Sequence, residues 1–359
     1  MRRTAAFGWH PRVAQYVMRP EHPLKPYRYG LVYETLQRIG AFTRPNARVL
    51  DGRLASDEEL ALVHSTEYVR RVKLFSEDPP ALRPEEWGDR ITWSDTPPWP
   101  NMHDDSATVV GTSLVCLEAV TSGTADVAFN GSGGLHHAMR DRASGFCVYN
   151  DPAIVVAQLV RGGKRVAYVD IDAHHGDGVQ AAFYDDDRAL TISLHEFAPW
   201  FFPGTGRPQE RGTGRGAGYS VNVALMPETD DDAYAIAFDT VVPPLVRAFA
   251  PDVLVTQGGF DTYFECPIAQ LALSTHGYER CYRAFASLGL PWIALGGGGY
   301  DVDAVRRAWS IAYLVMLDAE IPAELHDADP PRAQGRDRGV LDEAAHRSAD
   351  AALAASFAA

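Results

Sequence analysis

Six short apolar runs punctuate this chain: AFGWH, ADVAFN, RVAYVDID, ALTISLHE, DVLVTQGG and PWIALGGGG. They show little polar alternation, as expected of strands buried on both faces. Between them lie helical patterns at Asp104–Val120, Ala153–Val160, Asp231–Phe249, His276–Leu288 and Val302–Leu317. Strands alternating with helices predict an α/β fold, a three-layer sandwich whose central sheet is mostly parallel with helices on both faces. No internal repeat is present.

The polar residues collect where these runs stop. RVAYVDID runs into AHHGDG, DVLVTQ into GGFD, PWIALGGGG into Tyr300, and ADVAFN into GSGGLHH. In open parallel sheets, sites form in the crevice beyond the carboxyl ends of the strands. Four separate segments are therefore expected to converge there.

Asp170, Asp172 and His174 are spaced by two, which on a strand puts them on one face. Two carboxylates on one face repel unless a cation lies between them. Asp172 and His174, with Asp261 from another strand end, offer oxygen and nitrogen donors suited to zinc or another first-row divalent metal. Three protein ligands leave a position open, the layout of a catalytic site. His136 and His137 follow a Gly-rich turn. Hydrolysis by an activated water needs a proton acceptor and then a donor, and histidine serves both near neutral pH. Asp170 and Asp177 are two spare carboxylates for two histidines, each able to set a tautomer and a ring orientation. The glycines of GGGGYD are read as presenting Tyr300, whose phenol can donate to a developing oxyanion. No G-x-S-x-G elbow supports a serine hydrolase.

The 359 residues carry a formal net charge of −14. Such a surface repels nucleic-acid phosphates, so no nucleic-acid ligand is expected. The four cysteines, Cys116, Cys147, Cys266 and Cys281, form no C-x-x-C pair, which fits a reducing compartment. The basic N-terminus lacks the apolar stretch of a signal peptide, and no run is long enough to span a bilayer. A cytoplasmic protein with no membrane partner is expected. Glu77–Asn101, rich in Pro and Trp, reads as a long ordered loop. Residues 1–320 are taken as a single catalytic domain. Residues 321–359 are taken as a peripheral linker (Asp327–Gly339) and an Ala-rich helix (Val340–Phe357).

The ordered segments GGLHHAMRDRASGFCVYND, VDIDAHHGDGVQAAF, TISLHE, FFPGTG, GYSVNVAL, GGFD and GGGGY resemble the zinc-dependent histone deacetylase superfamily, with its arginase/deacetylase fold. HPLKPYRYG and LVHSTEYV fit as well, and the resemblance runs from about Gly8 to Ala319. Within the superfamily the chain is most similar to the bacterial acetoin utilization deacetylases, a branch like the class I enzymes. The resemblance implies hydrolysis of acetyl-lysine in proteins, with acetylpolyamines as the neighbouring substrate class.

It further implies that Asp172, His174 and Asp261 bind Zn2+, with Fe2+ accepting the same donors. His137 would be general base and then acid, backed by Asp177, with His136 and Asp170 in support. Tyr300 would polarise the acetyl carbonyl. Gly145, Phe146, Phe202 and Ile268 would line the acetyl-lysine tunnel, and Asp95 would hold the substrate backbone at its rim. A K+ or Na+ ion would lie among Asp170, Asp172, His174, Ser193 and Leu194. A second such ion would involve Phe183, Asp186, Ala189 and Tyr219. Cys266 departs from the family pattern, where an aspartate is common before the proline. Two rival readings are a ureohydrolase, which shares D-A-H but needs a second D-x-D absent from GGFDTYFE, and a non-catalytic acetyl-lysine binder.

Overall fold

The computed structural model describes residues 3–77, 79, 95–328 and 337–359. Most of the expected loop at Glu77–Asn101 and of the linker at Asp327–Gly339 lies outside these residues.

The strands are β1 (Ala5–Trp9), β2 (Ala47–Asp51), β3 (Val127–Asn130), β4 (Val166–Asp170), β5 (Ala189–Glu196), β6 (Ser220–Leu225), β7 (Val253–Gln257) and β8 (Trp292–Leu295). They form one sheet in the order β2-β1-β3-β8-β7-β4-β5-β6. Every pairing is parallel. β8, last in sequence, is therefore a central strand, bonded to β3 on one side and β7 on the other.

The helices are α1 (Tyr27–Arg38), α2 (Asp57–Leu60), α3 (Thr66–Glu77), α4 (Met102–Thr121), α5 (Asp151–Arg161), α6 (Asp177–Ala182), α7 (Asp231–Phe249), α8 (Thr275–Ser287), α9 (Val302–Met316) and α10 (Arg338–Ala355). Two apolar layers sandwich the sheet. Phe7, Phe129, Val169 and Leu254 pack with α1 and α7–α10, whereas their neighbours Ala6, Ala128, Tyr168 and Val255 pack with α3–α6. This alternation along continuous apolar runs is the signature of strands covered on both faces.

Two strands that the apolar runs did not mark, β2 and β6, are the edges of the sheet. β2 is mostly exposed and so carries no apolar run. β6 interleaves Ser220 and Asn222 with its valines, and buried Asn222 is satisfied by Gln180 Oε1 at 2.7 Å and Glu210 O at 2.9 Å. α10 buries Leu341, Ala345, Ala349 and Ala352 in the core, and Ser348 donates to Ala224 O of β6 at 2.6 Å. Beyond it Phe357 stacks on Tyr219, with centroids 4.8 Å apart. Among the described residues no helix is long and apolar enough to cross a membrane.

His64, between α2 and α3, is a buried joint beneath the site. Its Nδ1 donates to Met139 O at 3.0 Å and its Nε2 accepts Asn150 N–H at 3.0 Å, so it must be neutral. Burial lowers its pKa to about 4. The unfolded chain takes up this proton near pH 6.5 and the fold does not, so stability falls as pH drops from 6.5 toward 4, by about 3 kcal/mol for this residue. Urea unfolding at pH 7 and pH 4.5 will show a smaller acid loss in His64→Gln. Equal losses in the two proteins would remove His64 as the cause.

Candidate metal and acid–base site

The sheet delivers its chemistry at one end. β4 stops at Asp170, so strand alternation does not place Asp172 and His174. A ladder of side-chain to backbone bonds does so instead: Asp172 N–H donates to Asp170 Oδ1 at 3.1 Å, and His174 N–H to Asp172 Oδ1 at 3.0 Å. Asp261, in the loop after β7, accepts Ala173 N–H at 2.8 Å and approaches His174 Nδ1 at 2.8 Å. Ligand atoms of Asp172, His174 and Asp261 all lie within 4.8 Å of one another, and all three residues are buried.

This donor set fits a divalent cation. Burial and the Asp172 charge raise the Asp261 pKa. Burial also opposes charge on Asp172, yet His136 and His174 hold it well below the usual carboxylate range. Two facing buried carboxylates thus carry a charge that a bound cation would offset. Asp172 Oδ2 is further fixed by Gly298 N–H at 2.8 Å and by Gln257 Nε2 at 2.6 Å. Gln257 ends β7, and its signal was a buried amide closing an apolar strand.

His136 and His137 project from the turn after β3. His136 Nδ1 lies 2.7 Å from Asp170 Oδ2, and His137 Nδ1 lies 2.7 Å from Asp177 Oδ1. Each carboxylate accepts a hydrogen bond from Nδ1–H, which leaves the two Nε2 atoms facing each other at 2.9 Å. Burial opposes charge on His136, but Asp170 and Asp172 outweigh it and raise its pKa to about 9. Burial and the neighbouring His136 charge lower that of His137 despite Asp177. One Nε2 therefore carries a proton near neutral pH and the other presents a lone pair. Asp151, at the start of α5, braces this turn by accepting Gly134 N–H at 3.1 Å, Leu135 N–H at 2.9 Å and the Ser113 hydroxyl at 2.6 Å.

A cavity of about 20 Å³, room for roughly one water, is lined by Leu24, His136, His137, Gly145, Phe146, Asp172, His174 and Tyr300 among others. Gly145 has φ +54°, and a Cβ there would stand 2.3 Å from the His137 ring. Phe146 packs edge-on to Tyr300 at 5.8 Å, and Phe202 edge-on to His137 at 4.9 Å. Asp95 accepts Gly145 N–H at 3.0 Å. Ile268 is outside the cavity lining and 38% exposed. Cys266 is buried.

Tyr300 follows Gly297 and Gly299, which have φ of +148° and +133°. Fully buried Arg28, in HPLKPYRYG, donates to Gly297 O at 2.6 Å and to Gly299 O, bracing that turn from below. Burial, with Asp261 and Asp172, keeps the Tyr300 phenol protonated. His175, the second histidine of the AHHGDG pair, bonds Thr205 Oγ1 at 2.8 Å and Gln180 Oε1 at 3.2 Å, and so anchors the loop that carries Phe202. Asp170 and Ser193 face each other in the β4–β5 ladder, and Leu194 follows. Asp186 is paired with Arg188 at 2.5 Å.

A histone deacetylase domain profile matches residues 22–316. The chain is 41% identical over 334 residues to acetoin utilization protein AcuC of Bacillus subtilis (strain 168), covering 90% of this chain and 85% of that protein. It is 36% identical over 331 residues to AcuC of Staphylococcus aureus (strain MRSA252), covering 88% and 82%. It is 32% identical over 324 residues to histone deacetylase 1 of Homo sapiens, covering 90% and 67%. The chain belongs to the histone deacetylase family, hydrolases of amide bonds.

Proposed function

We propose that this chain hydrolyses the acetyl amide of acetyl-lysine in proteins or peptides, releasing lysine and acetate. The observation that carries this reading is the pair of carboxylate-backed histidines, Nε2 to Nε2 at 2.9 Å, beside the Asp172–His174–Asp261 cluster. Those three residues would hold a divalent metal, zinc being the family's usual ion, which when bound would supply Lewis-acid activation of a water and of the acetyl carbonyl. His137, the neutral member, takes the water's proton at Nε2 and passes it to the departing amine. His136 stays charged and stabilises the negative charge that builds up. Tyr300 donates its phenol hydrogen to the oxyanion. Phe146 and Phe202 flank the acyl-lysine stem, with Gly145 leaving room for His137. Ile268 stands at the tunnel mouth.

A carboxylate such as Asp95 can accept substrate backbone N–H groups, which supports a peptide, and it can also pair with a polyamine ammonium, so the substrate class is decided by turnover. A monovalent cation among Asp170, Asp172, His174, Ser193 and Leu194 would steady the segment that presents the metal ligands. In this reading residues 1–320 are the catalytic domain, and the described residues 321–328 and 337–359 pack onto it from outside the site.

Turnover of acetyl-lysine peptides and of acetylpolyamines, measured side by side, tests the substrate class. Peptide kcat/KM is expected to be the larger, and a chelator is expected to abolish it. Preference for the polyamine would overturn the peptide reading and leave the deacetylase chemistry standing.

A further inference from the structure

A second constellation of metal-ligand side chains lies outside this site. His276 and Glu279 are three residues apart on α8, a spacing that puts them on one face of the helix. His326 joins them from the segment after α9. Ligand atoms of all three lie within 4.8 Å of one another, with His276 exposed and the other two partly buried. His326 Nε2 is 2.6 Å from Glu279 Oε2, and the two imidazoles stack with centroids 4.6 Å apart.

The scaffold beneath is rigid. Asp327, next to His326, accepts Thr275 N–H at 2.8 Å, the Thr275 hydroxyl at 2.9 Å, Arg307 at 2.7 Å and the Tyr263 hydroxyl at 3.0 Å. Its own N–H returns to Thr275 Oγ1 at 2.8 Å. The backbone that carries His326 is thus tied to the first turn of α8, which carries His276. Two imidazoles and one carboxylate on a fixed frame make a donor set for a borderline divalent ion such as Zn2+. The stacked rings run side by side, so binding requires one to turn until the nitrogens converge. His276 is exposed, and the bond its ring makes, Nε2 to Asp327 O at 3.1 Å, is replaceable.

We propose that His276, Glu279 and His326 form a second divalent-metal site, which clamps the segment after α9 onto α8. Open positions around the ion remain for solvent, so it exchanges more readily than an ion in the buried cluster. Two ions per chain would otherwise argue for a two-metal ureohydrolase. With this surface site filled, two ions per chain are expected of a deacetylase as well.

The test uses the full chain, equilibrated by dialysis against buffered Zn2+ and then counted for metal. The parent is expected to hold one equivalent more than His326→Ala, and His276→Asn, altered at an exposed position, is expected to lose the same equivalent. Both variants should keep parental turnover of an acetyl-lysine peptide. Added Zn2+ should raise the melting temperature of the parent more than that of either variant. Equal metal counts in the parent and a folded variant would overturn the proposal. So would loss of turnover together with loss of the ion, because the missing equivalent would then be the catalytic one. The count is independent of which substrate the enzyme prefers, so a failure here leaves the deacetylase reading untouched.

Discussion

His137→Ala will keep its catalytic metal and lose roughly 10²–10⁴-fold in kcat, the usual range for removing a positioned general acid–base group. The division of charge within the histidine pair sets this expectation. Both Nδ1 atoms face carboxylates at 2.7 Å, so each ring is oriented and only the Nε2 positions are free to exchange a proton. His136, facing Asp170 and Asp172, holds its proton up to about pH 9. His137 lies next to that charge with Asp177 behind it, and burial and the His136 charge together favour its neutral form. A base must be neutral before it acts, so His137 is the expected base. His136→Ala removes a fixed charge and is expected to cost less. Steady-state kinetics on an acetyl-lysine peptide, with metal content measured on the same samples, separate the two. If His136→Ala proves the more damaging, the roles are reversed.

Tyr300→Phe is expected to lower kcat by roughly 10²–10³-fold, the cost of one oxyanion donor, with metal content unchanged. Phenylalanine keeps the ring and its edge contact with Phe146 and deletes only the hydroxyl. The turn that presents Tyr300 uses backbone conformations open to glycine at positions 297 and 299, and Arg28 holds both carbonyls. The substitution should therefore leave that turn in place, and KM should move far less than kcat. Near-parental turnover would remove Tyr300 from the mechanism.

The parts of this molecule legible in its sequence are those where chemistry and burial coincide along a few adjacent residues. The six central strands stand out because burial on both faces excludes polar residues from them. The edges do not: β2 is exposed, and β6 carries Asn222, which only its Gln180 and Glu210 partners make tolerable. The His-His and Asp-rich segments are visible because each follows a strand end. Residues that act through distant partners leave no such trace. Asp151 reads as the last letter of a motif, and only the fold shows it accepting Gly134 and Leu135 N–H groups. Arg28 and Gln257 are ordinary letters until the turn at Gly297–Gly299 and the Asp172 carboxylate are brought to them. The uneven charge of His136 and His137 likewise comes from burial and from where Asp170, Asp172 and Asp177 stand around the two rings, not from their order in the chain.

The position of β8 has a consequence for how the chain is made. Before Trp292–Leu295 leaves the ribosome, the sheet can exist only as two pieces, β2-β1-β3 and β7-β4-β5-β6. Each piece then has an inner edge with nothing to pair, the kind of surface that invites aggregation. The two histidines would sit on one piece and the three metal-ligand residues on the other. A nascent chain can thus hold its histidines and its candidate metal ligands on separate pieces, and translation of the last strand is what brings them together.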